Sequence, residues 1–121
     1  MKIRVVYLNI EEGKPPVEIE IFDNLQWFYK LIGTKDIYFC HRRFGDREYL
    51  VIADDVGYFR KNPKFSAISS EFGRMPLVGN LIICGIEDRW GNMTDLMNDD
   101  VKRIMSHVVE VDGRYRFRDC D

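Results

Sequence analysis

The chain has few cysteines, and their arrangement excludes two common uses of this residue. Cys40, Cys84 and Cys120 are odd in number and widely spaced, which argues against a disulfide scaffold. Together with His41 and His107, they show none of the short paired spacings of a structural zinc site. We therefore expect a protein of a reducing compartment that carries no metal or other cofactor.

Long apolar runs and a strong charge of either sign are also absent. No apolar segment approaches the thickness of a bilayer, and the N-terminal alternation of Lys2 and Arg4 with apolar residues is unlike a secretion signal. The formal net charge of -2 excludes a generally basic nucleic-acid-binding protein, although it is compatible with a local basic patch. We expect a cytoplasmic protein that does not contact a membrane.

Signatures of the common catalytic sites are missing as well. The chain has no phosphate-binding glycine loop, no G-x-S-x-G elbow and no H-E-x-x-H motif. Cys40 and His41 are neighbours in a strand pattern, so they point to opposite faces and cannot form a nucleophile–base pair. The carboxylate pairs at 54–55, 87–88 and 99–100 lack the spacing of a calcium loop. We predict that the protein is not an enzyme, and a small metal-dependent hydrolase using residues 54–55 is the last-ranked alternative.

The sequence does contain regular helix patterns. Asp23 and Gln26 form a capping-box pattern, and Gly33 stands where a left-handed residue ends a helix. The apolar residues between them recur at helical spacing, which predicts a short helix with one buried face. A second helix is predicted to begin at the cap Asn98, with a buried stripe that includes Met97.

Strand patterns with a period of two lie on both sides of the first helix. At 121 residues the chain suits one domain, with a core over 1–106 and a C-terminal hairpin over 108–118. Residues 64–76 fit either a strand or a helical turn. The remaining strand predictions are two hairpins (2–10 with 17–22, and 36–43 with 48–54), a short extended segment at 57–60 and a central strand over 77–86. These patterns predict an α+β fold: a mostly antiparallel mixed sheet of about five to seven strands with two short helices.

The C-terminal hairpin is predicted from Asp112-Gly113, a strong turn signal between two alternating segments. We expect Val109, Val111, Tyr115 and Phe117 to share one face of it. Such a ribbon would need a surface to cover it, so homo-oligomerisation through this hairpin is a further prediction.

Basic residues interleaved with aromatic residues are the strongest functional signal. Arginine forks beside aromatic rings suit a phosphate with stacked bases, and exposed Trp or Arg residues also anchor protein partners. The alternative is that these charges only protect exposed sheet edges. The candidate partner- or phosphate-binding residues are Arg42, Arg43, Arg47, Arg60, Lys61, Trp90, Arg114, Arg116 and Arg118.

The order of several segments carries a family resemblance. The segments are KPP (14–16), the helix ending at Gly33, DDVG (54–57) followed by Asn62, LVGNLIICG (77–85) and TD…DDVKRI (94–104). Over residues 1–106 the chain resembles a small-domain family of phages and mobile elements of Firmicutes, catalogued only as a domain of unknown function. It departs from the usual pattern at Ala53-Asp54, where an Asn is expected.

The resemblance implies a non-enzymatic phage or prophage accessory protein. Such a protein would counteract bacterial host defence by binding a host defence protein or by sequestering a nucleotide signal, in the host cytoplasm. A nucleic-acid-binding accessory protein is the alternative, and its affinity would fall steeply with salt.

Overall fold

All 121 residues are described by the computed structural model, which has two helices and nine strands. In chain order the elements are β1 (Lys2–Leu8), β2 (Val17–Phe22), α1 (Leu25–Ile32), β3 (Ile37–Phe44), β4 (Arg47–Asp54), a 3₁₀ turn (Gly57–Phe59), β5 (Phe65–Ile68), β6 (Leu77–Val78), β7 (Leu81–Cys84), α2 (Asn98–Met105), β8 (Val108–Val111) and β9 (Arg114–Arg118). The predicted α+β class and its two short helices are confirmed. Neither helix has the length and apolar content needed to cross a membrane.

The strands are divided between two sheets, where the sequence predicts one sheet of about five to seven strands. The first sheet has the order β2-β1-β7-β4-β3, and the second has the order β6-β5-β9-β8. Every pairing is antiparallel except that of β5 with β9. The predicted hairpins β1–β2 and β3–β4 are both present, and β7 lies in the middle of the first sheet.

Both faces of the first sheet are buried, because its central strands alternate apolar residues on each side. Ile3 and Val5 belong to a core cluster that includes Phe28 of α1. Val6 and Leu8 belong to a second cluster, which the four-stranded sheet and α2 cover from the other side. The result is three layers: α1, the five-stranded sheet, and the four-stranded sheet with α2.

Helix α1 ends as predicted but begins one residue later. Gly33 has a φ of 90°, the left-handed conformation that favours glycine at a helix end. The N-cap is Asn24, whose side chain accepts a hydrogen bond from the N–H of Trp27 at 3.1 Å. Asp23 precedes this cap, and its own N–H donates to the carbonyl of Met1 at 3.0 Å, beside β1.

The segment after β4 differs from its prediction at two points. The extended segment expected at 57–60 is a 3₁₀ turn. The single strand expected over 77–86 is divided at Gly79, whose φ of 83° bends the chain, so β6 joins the second sheet and β7 the first. Within 64–76, residues Phe65–Ile68 form β5 and the rest form a loop.

The C-terminal hairpin turns at Asp112-Gly113 as predicted, but its faces are assigned differently. Val111 pairs with Arg114, and Val109 pairs with Arg116. Paired residues of neighbouring strands project to the same side of a sheet, so both valines lie on the face that bears the arginines. The prediction that Val109 and Val111 share a face with Tyr115 and Phe117 is therefore wrong.

The same hairpin completes the core. Phe117 is fully buried, and its ring lies 5.5 Å from that of Phe44, measured between centroids. Strand β9 pairs with β5 as well as with β8. The hairpin is therefore not an isolated ribbon. Homo-oligomerisation stays a prediction, but the need for a surface to cover the hairpin no longer supports it.

The N-cap of helix α2 lies one residue before the predicted cap, Asn98. Met97 is the N-cap residue, and its N–H donates to the carboxylate of Asp100 at 2.8 Å. Asn98 lies in the first turn, where its side-chain oxygen accepts from Arg4 Nη2 at 2.7 Å. Ile104 is buried as expected, whereas Met97 is 62% exposed and does not join the buried stripe.

Tyr49 ties α2 to the first sheet through a buried polar network. Its hydroxyl donates to Asp100 at 2.7 Å and accepts from Arg103 at 2.7 Å. Both Tyr49 and Asp100 are buried. Burial alone would raise the pKa of Asp100, but the hydrogen bonds from Tyr49 and from the Met97 N–H lower it on balance.

Replacing Tyr49 by Phe should destabilise the fold by about 1–3 kcal/mol, because the buried Asp100 loses a hydroxyl donor, Arg103 loses an acceptor, and both lost bonds involve a charged group. Urea denaturation measures this difference. Tyr29→Phe is the control and should leave stability nearly unchanged, because the Tyr29 hydroxyl forms no hydrogen bond within the chain. Asp100 has a lowered folded pKa, so the stability it contributes is present above its unfolded pKa and is lost as the pH falls. The difference in the free energy of unfolding between Tyr49→Phe and the wild type should therefore decrease below about pH 4. Equal free energies of unfolding at neutral pH would contradict the stabilising role of this network.

Candidate protein-binding surface

Large apolar side chains are exposed most densely between the 3₁₀ turn and β6. Phe59 is 87% exposed and Phe72 is 107% exposed. Six of the fifteen exposed large hydrophobic side chains lie in this one segment, and we term them the aromatic surface: Tyr58, Phe59, Phe65, Ile68, Phe72 and Met75. Exposed apolar side chains concentrated in this way are typical of interaction sites.

The buried carboxylate of Asp54, the last residue of β4, fixes the turn that presents two of these rings. It accepts a hydrogen bond from the N–H of Val56 at 3.0 Å. It also accepts from Arg60 Nε at 2.5 Å and from Arg60 Nη2 at 3.2 Å, so the guanidinium binds in a bidentate manner. The Asp54–Arg60 ion pair joins the two ends of the turn, and Tyr58 and Phe59 project from the residues between them.

Tyr58 joins the three parts of the aromatic surface. Its ring lies 6.2 Å from that of Phe65 on β5, measured between centroids. Its hydroxyl donates to the carbonyl of Pro76, at the end of the loop formed by residues 69–76. The 3₁₀ turn, β5 and this loop are therefore held together.

The loop of residues 69–76 is anchored at its base. The carboxylate of Asp121 accepts hydrogen bonds from the hydroxyls of Ser69 and Ser70 at 2.7 and 2.6 Å, and from the Ser70 N–H at 2.7 Å. These bonds lower the pKa of Asp121 to about 2. Arg74 donates to the carbonyls of Asp121 and His41. The anchored base restrains the loop and leaves Phe72 exposed between its anchors.

Arg42, one of the predicted binding residues, lies beneath this loop. It is 6% exposed, and it donates to the carbonyls of Met75 at 3.1 Å and Cys120 at 3.3 Å. Its Nε has no hydrogen-bond partner, and no carboxylate forms an ion pair with it. Alternate residues of β3 face the second sheet, which places Arg42 inside with Cys40 and Phe44. Arg42 therefore supports the loop from within and cannot contact a partner.

The other predicted residues are dispersed over the molecule. Lys61 is exposed, Arg116 donates to the carbonyl of Phe65, and Arg114 donates to that of Ile10 at 2.5 Å. Together with Arg60, these residues border the aromatic surface or the second sheet next to it. Each of the three arginines donates to at least one main-chain or carboxylate oxygen within the chain, whereas Lys61 donates to none.

A second group of predicted residues lies elsewhere. Arg47 pairs with Asp100 at 3.3 Å, and Arg43 and Arg118 are exposed. Trp90 is 74% exposed in the loop before α2. That loop lines a pocket together with Phe39 and Leu50 at the face covered by α1. The nine residues predicted as a site do not form one site.

Comparison with known proteins identifies the family. A family model described as Domain of unknown function (DUF3846) matches residues 3–109. The chain belongs to this family. No curated protein and no solved structure gives a significant match. The predicted resemblance to a family of unknown function is confirmed, and an origin in phages or Firmicutes stays a prediction.

Three members of the aromatic surface were not singled out from the sequence of this DUF3846 protein: Ile68, Phe72 and Met75. The available signal was weak but present. Phe72 and Met75 lie at helical spacing from Phe65 and Ile68, but Gly73 and Pro76 interrupt a helix there. Apolar residues placed beside such breakers have no regular element to bury them.

Replacing both Ser69 and Ser70 by Ala should loosen the loop that carries Phe72, because the Asp121 carboxylate loses two hydroxyl donors. We expect amide hydrogen exchange at residues 71–75 to accelerate by about tenfold or more, while exchange in the first sheet stays unchanged. The control is Ser106→Ala, which removes a hydroxyl that bonds only the Arg103 carbonyl of α2. Unchanged exchange in the loop of the double variant would show that Asp121 does not anchor it.

Proposed function

We propose that the protein is a non-enzymatic binding protein that counteracts a bacterial host defence by binding a host protein at the aromatic surface. Its source would be a phage or a mobile element, and its place of action the host cytoplasm. The observation that carries the proposal is the exposure of Phe59 and Phe72 on supported loops. The family match to a domain of unknown function is compatible with this role and does not assign it.

The composition of the aromatic surface suits protein recognition. Aromatic residues and Met are enriched at protein interfaces, and a few well-supported anchors supply most of the binding free energy. A typical interface buries about 800 Å² on each partner, so the six residues would form its centre with neighbouring polar residues at the rim. Phe59 and Phe72 are the strongest candidates for anchors, because they are the most exposed of the six.

One cation of this segment is free to meet an acidic partner. Residues 57–76 contain four basic residues against one carboxylate, Glu71. Arg60 pairs with Asp54, Lys64 with Glu11 at 3.0 Å and Arg74 with Glu71 at 3.5 Å. Lys61 forms no ion pair and would steer an acidic partner more than it strengthens binding.

The contacts of the carboxylates and arginines support binding over the two alternatives. Asp54, which a metal-dependent hydrolase would use, is occupied by Arg60 and by the Val56 N–H. Arg114 and Arg116, which a nucleic-acid-binding protein would direct at phosphates, donate to main-chain carbonyls. These bonds leave fewer N–H groups of Arg114 and Arg116 for a phosphate.

Replacing Phe59 and Phe72 together by Ala should abolish partner binding and leave the fold intact, because both side chains are exposed. Removing two anchors should weaken binding by about 100-fold or more. Native mass spectrometry of the wild-type protein with bacterial host lysate first defines the retained partner. Titration calorimetry with that purified partner then measures the change in Kd.

Trp90→Ala is the matched control, because Trp90 is similarly exposed but belongs to the loop on the α1 side. Under the proposal, this variant binds as the wild type does. Loss of binding in Trp90→Ala with retention in the Phe59/Phe72 variant would move the interface to the Trp90 loop. Retention of binding by both variants would refute an aromatic anchor at either place. Binding to a nucleic acid that falls steeply with salt concentration would instead favour the alternative function.

A further inference from the structure

A polar cleft of about 410 Å³ lies beside the aromatic surface, at the end of the first sheet. Its walls are the C-terminal turn of α1, the β1–β2 connection, the 54–63 segment and the bend between β6 and β7. The volume lies in the range of sites for small organic ligands. Few of its lining residues are hydrophobic, so a ligand would be recognised by polar and charged groups.

The back wall of the cleft is rigid. Asn80 is 8% exposed, and its side-chain amide donates to the carbonyl of Leu31 at 3.1 Å while accepting from the N–H of Glu11 at 3.2 Å. The hydroxyl of Tyr7 donates to the same Leu31 carbonyl at 2.7 Å. Burial raises the pKa of Tyr7 to about 12, so this hydroxyl stays a donor. These bonds also cap the α1 carbonyl that would otherwise present negative charge to the cleft.

Each of the three carboxylates in the cleft wall already has a cation. Glu12 pairs with Lys14 at 2.7 Å, Asp54 pairs with Arg60, and Glu11 pairs with Lys64 at 3.0 Å. After these pairings the wall holds no free negative charge. The acidic residues therefore do not make the cleft a site for cations.

Two lysines of the wall have no such partner. Lys30 and Lys61 are exposed and form no ion pair, and the ammonium of Lys30 lies 5.0 Å from the ring centroid of Trp27. Asp54 compensates the charge of Arg60, but Arg60 Nη1 makes none of the hydrogen bonds to Asp54 and the side chain is 45% exposed, so Nη1 can still donate to a ligand. The uncompensated charge of the cleft is the positive charge of the two lysines, which lie on two of its walls.

We propose that this cleft binds a small organic phosphate, whose anionic group is held between Lys30 and Lys61 with the Arg60 guanidinium beside it. Lysine acts as a point charge toward phosphate, and a guanidinium kept in place by Asp54 offers its remaining N–H groups at a fixed position. The rest of the ligand lies against the polar back wall formed by Tyr7 and Asn80. The inference does not depend on the proposed protein partner, because none of the six residues of the aromatic surface lines the cleft.

Nuclear magnetic resonance titration in a phosphate-free buffer tests the site with three probes. Adenosine 5′-monophosphate and inorganic phosphate both contain the phosphate group, and adenosine lacks it. We expect the monophosphate and inorganic phosphate to shift the backbone amides of residues 30–33 and 60–62, and adenosine to leave them unshifted. Lys30→Gln with Lys61→Gln should raise the Kd of the monophosphate at least about tenfold.

The control replaces Lys35 and Lys102 by Gln, which removes the same charge from exposed lysines that do not line the cleft. Its Kd should stay within about twofold of the wild type, because distant exposed charges are screened. Equal loss in both double variants would show attraction by net charge alone and would overturn the site. Shifts confined to other residues, equal binding of adenosine, or no shift with either phosphate probe would also overturn it.

Discussion

The first sheet has to be covered on both faces by a chain of 121 residues, and this constraint governs the rest of the structure. All four residues of β7 are buried, as is every residue of β4 from Tyr49 onward. Helix α1 covers one face, while the second sheet and α2 cover the other. The second sheet is built from short strands, of two to five residues, that the chain forms between longer loops. The loops of this covering layer carry the exposed aromatic residues.

Much of the fold follows from local sequence, because its signals lie within a few residues of the elements they specify. The alternation in β1 and β2, the left-handed residue Gly33 and the Asp112-Gly113 turn each report a local preference, and each is present in the structure. The division into two sheets depends on pairing between distant segments, such as β5 with β9. A run such as 77–86 contains nothing that says its first two residues pair with a different sheet from the next four.

The difference between local signals and tertiary contacts also explains why the residues predicted as binding residues are dispersed. Basic residues can be counted in a sequence, but their partners come from tertiary contacts. Arg42 meets the carbonyls of Met75 and Cys120, and Arg116 meets that of Phe65. These arginines hydrogen-bond carbonyls at places where loops and strands meet, which satisfies main-chain acceptors that the short strands leave unpaired. Arginine is well suited to this task because one guanidinium offers five donors.

Asp54 connects the two proposed binding regions. Its carboxylate closes the turn that projects Phe59, and the same carboxylate holds Arg60 at the wall of the cleft. Gly79 permits this arrangement, because its left-handed φ of 83° makes the bend into β7. In the proposed binding mode Arg60 stays paired with Asp54, so a phosphate in the cleft would further restrain the hydrogen bonds that close the turn. If both proposals hold, occupancy of the cleft and the position of Phe59 would be coupled through this one ion pair, and coupling of this kind acts equally in both directions.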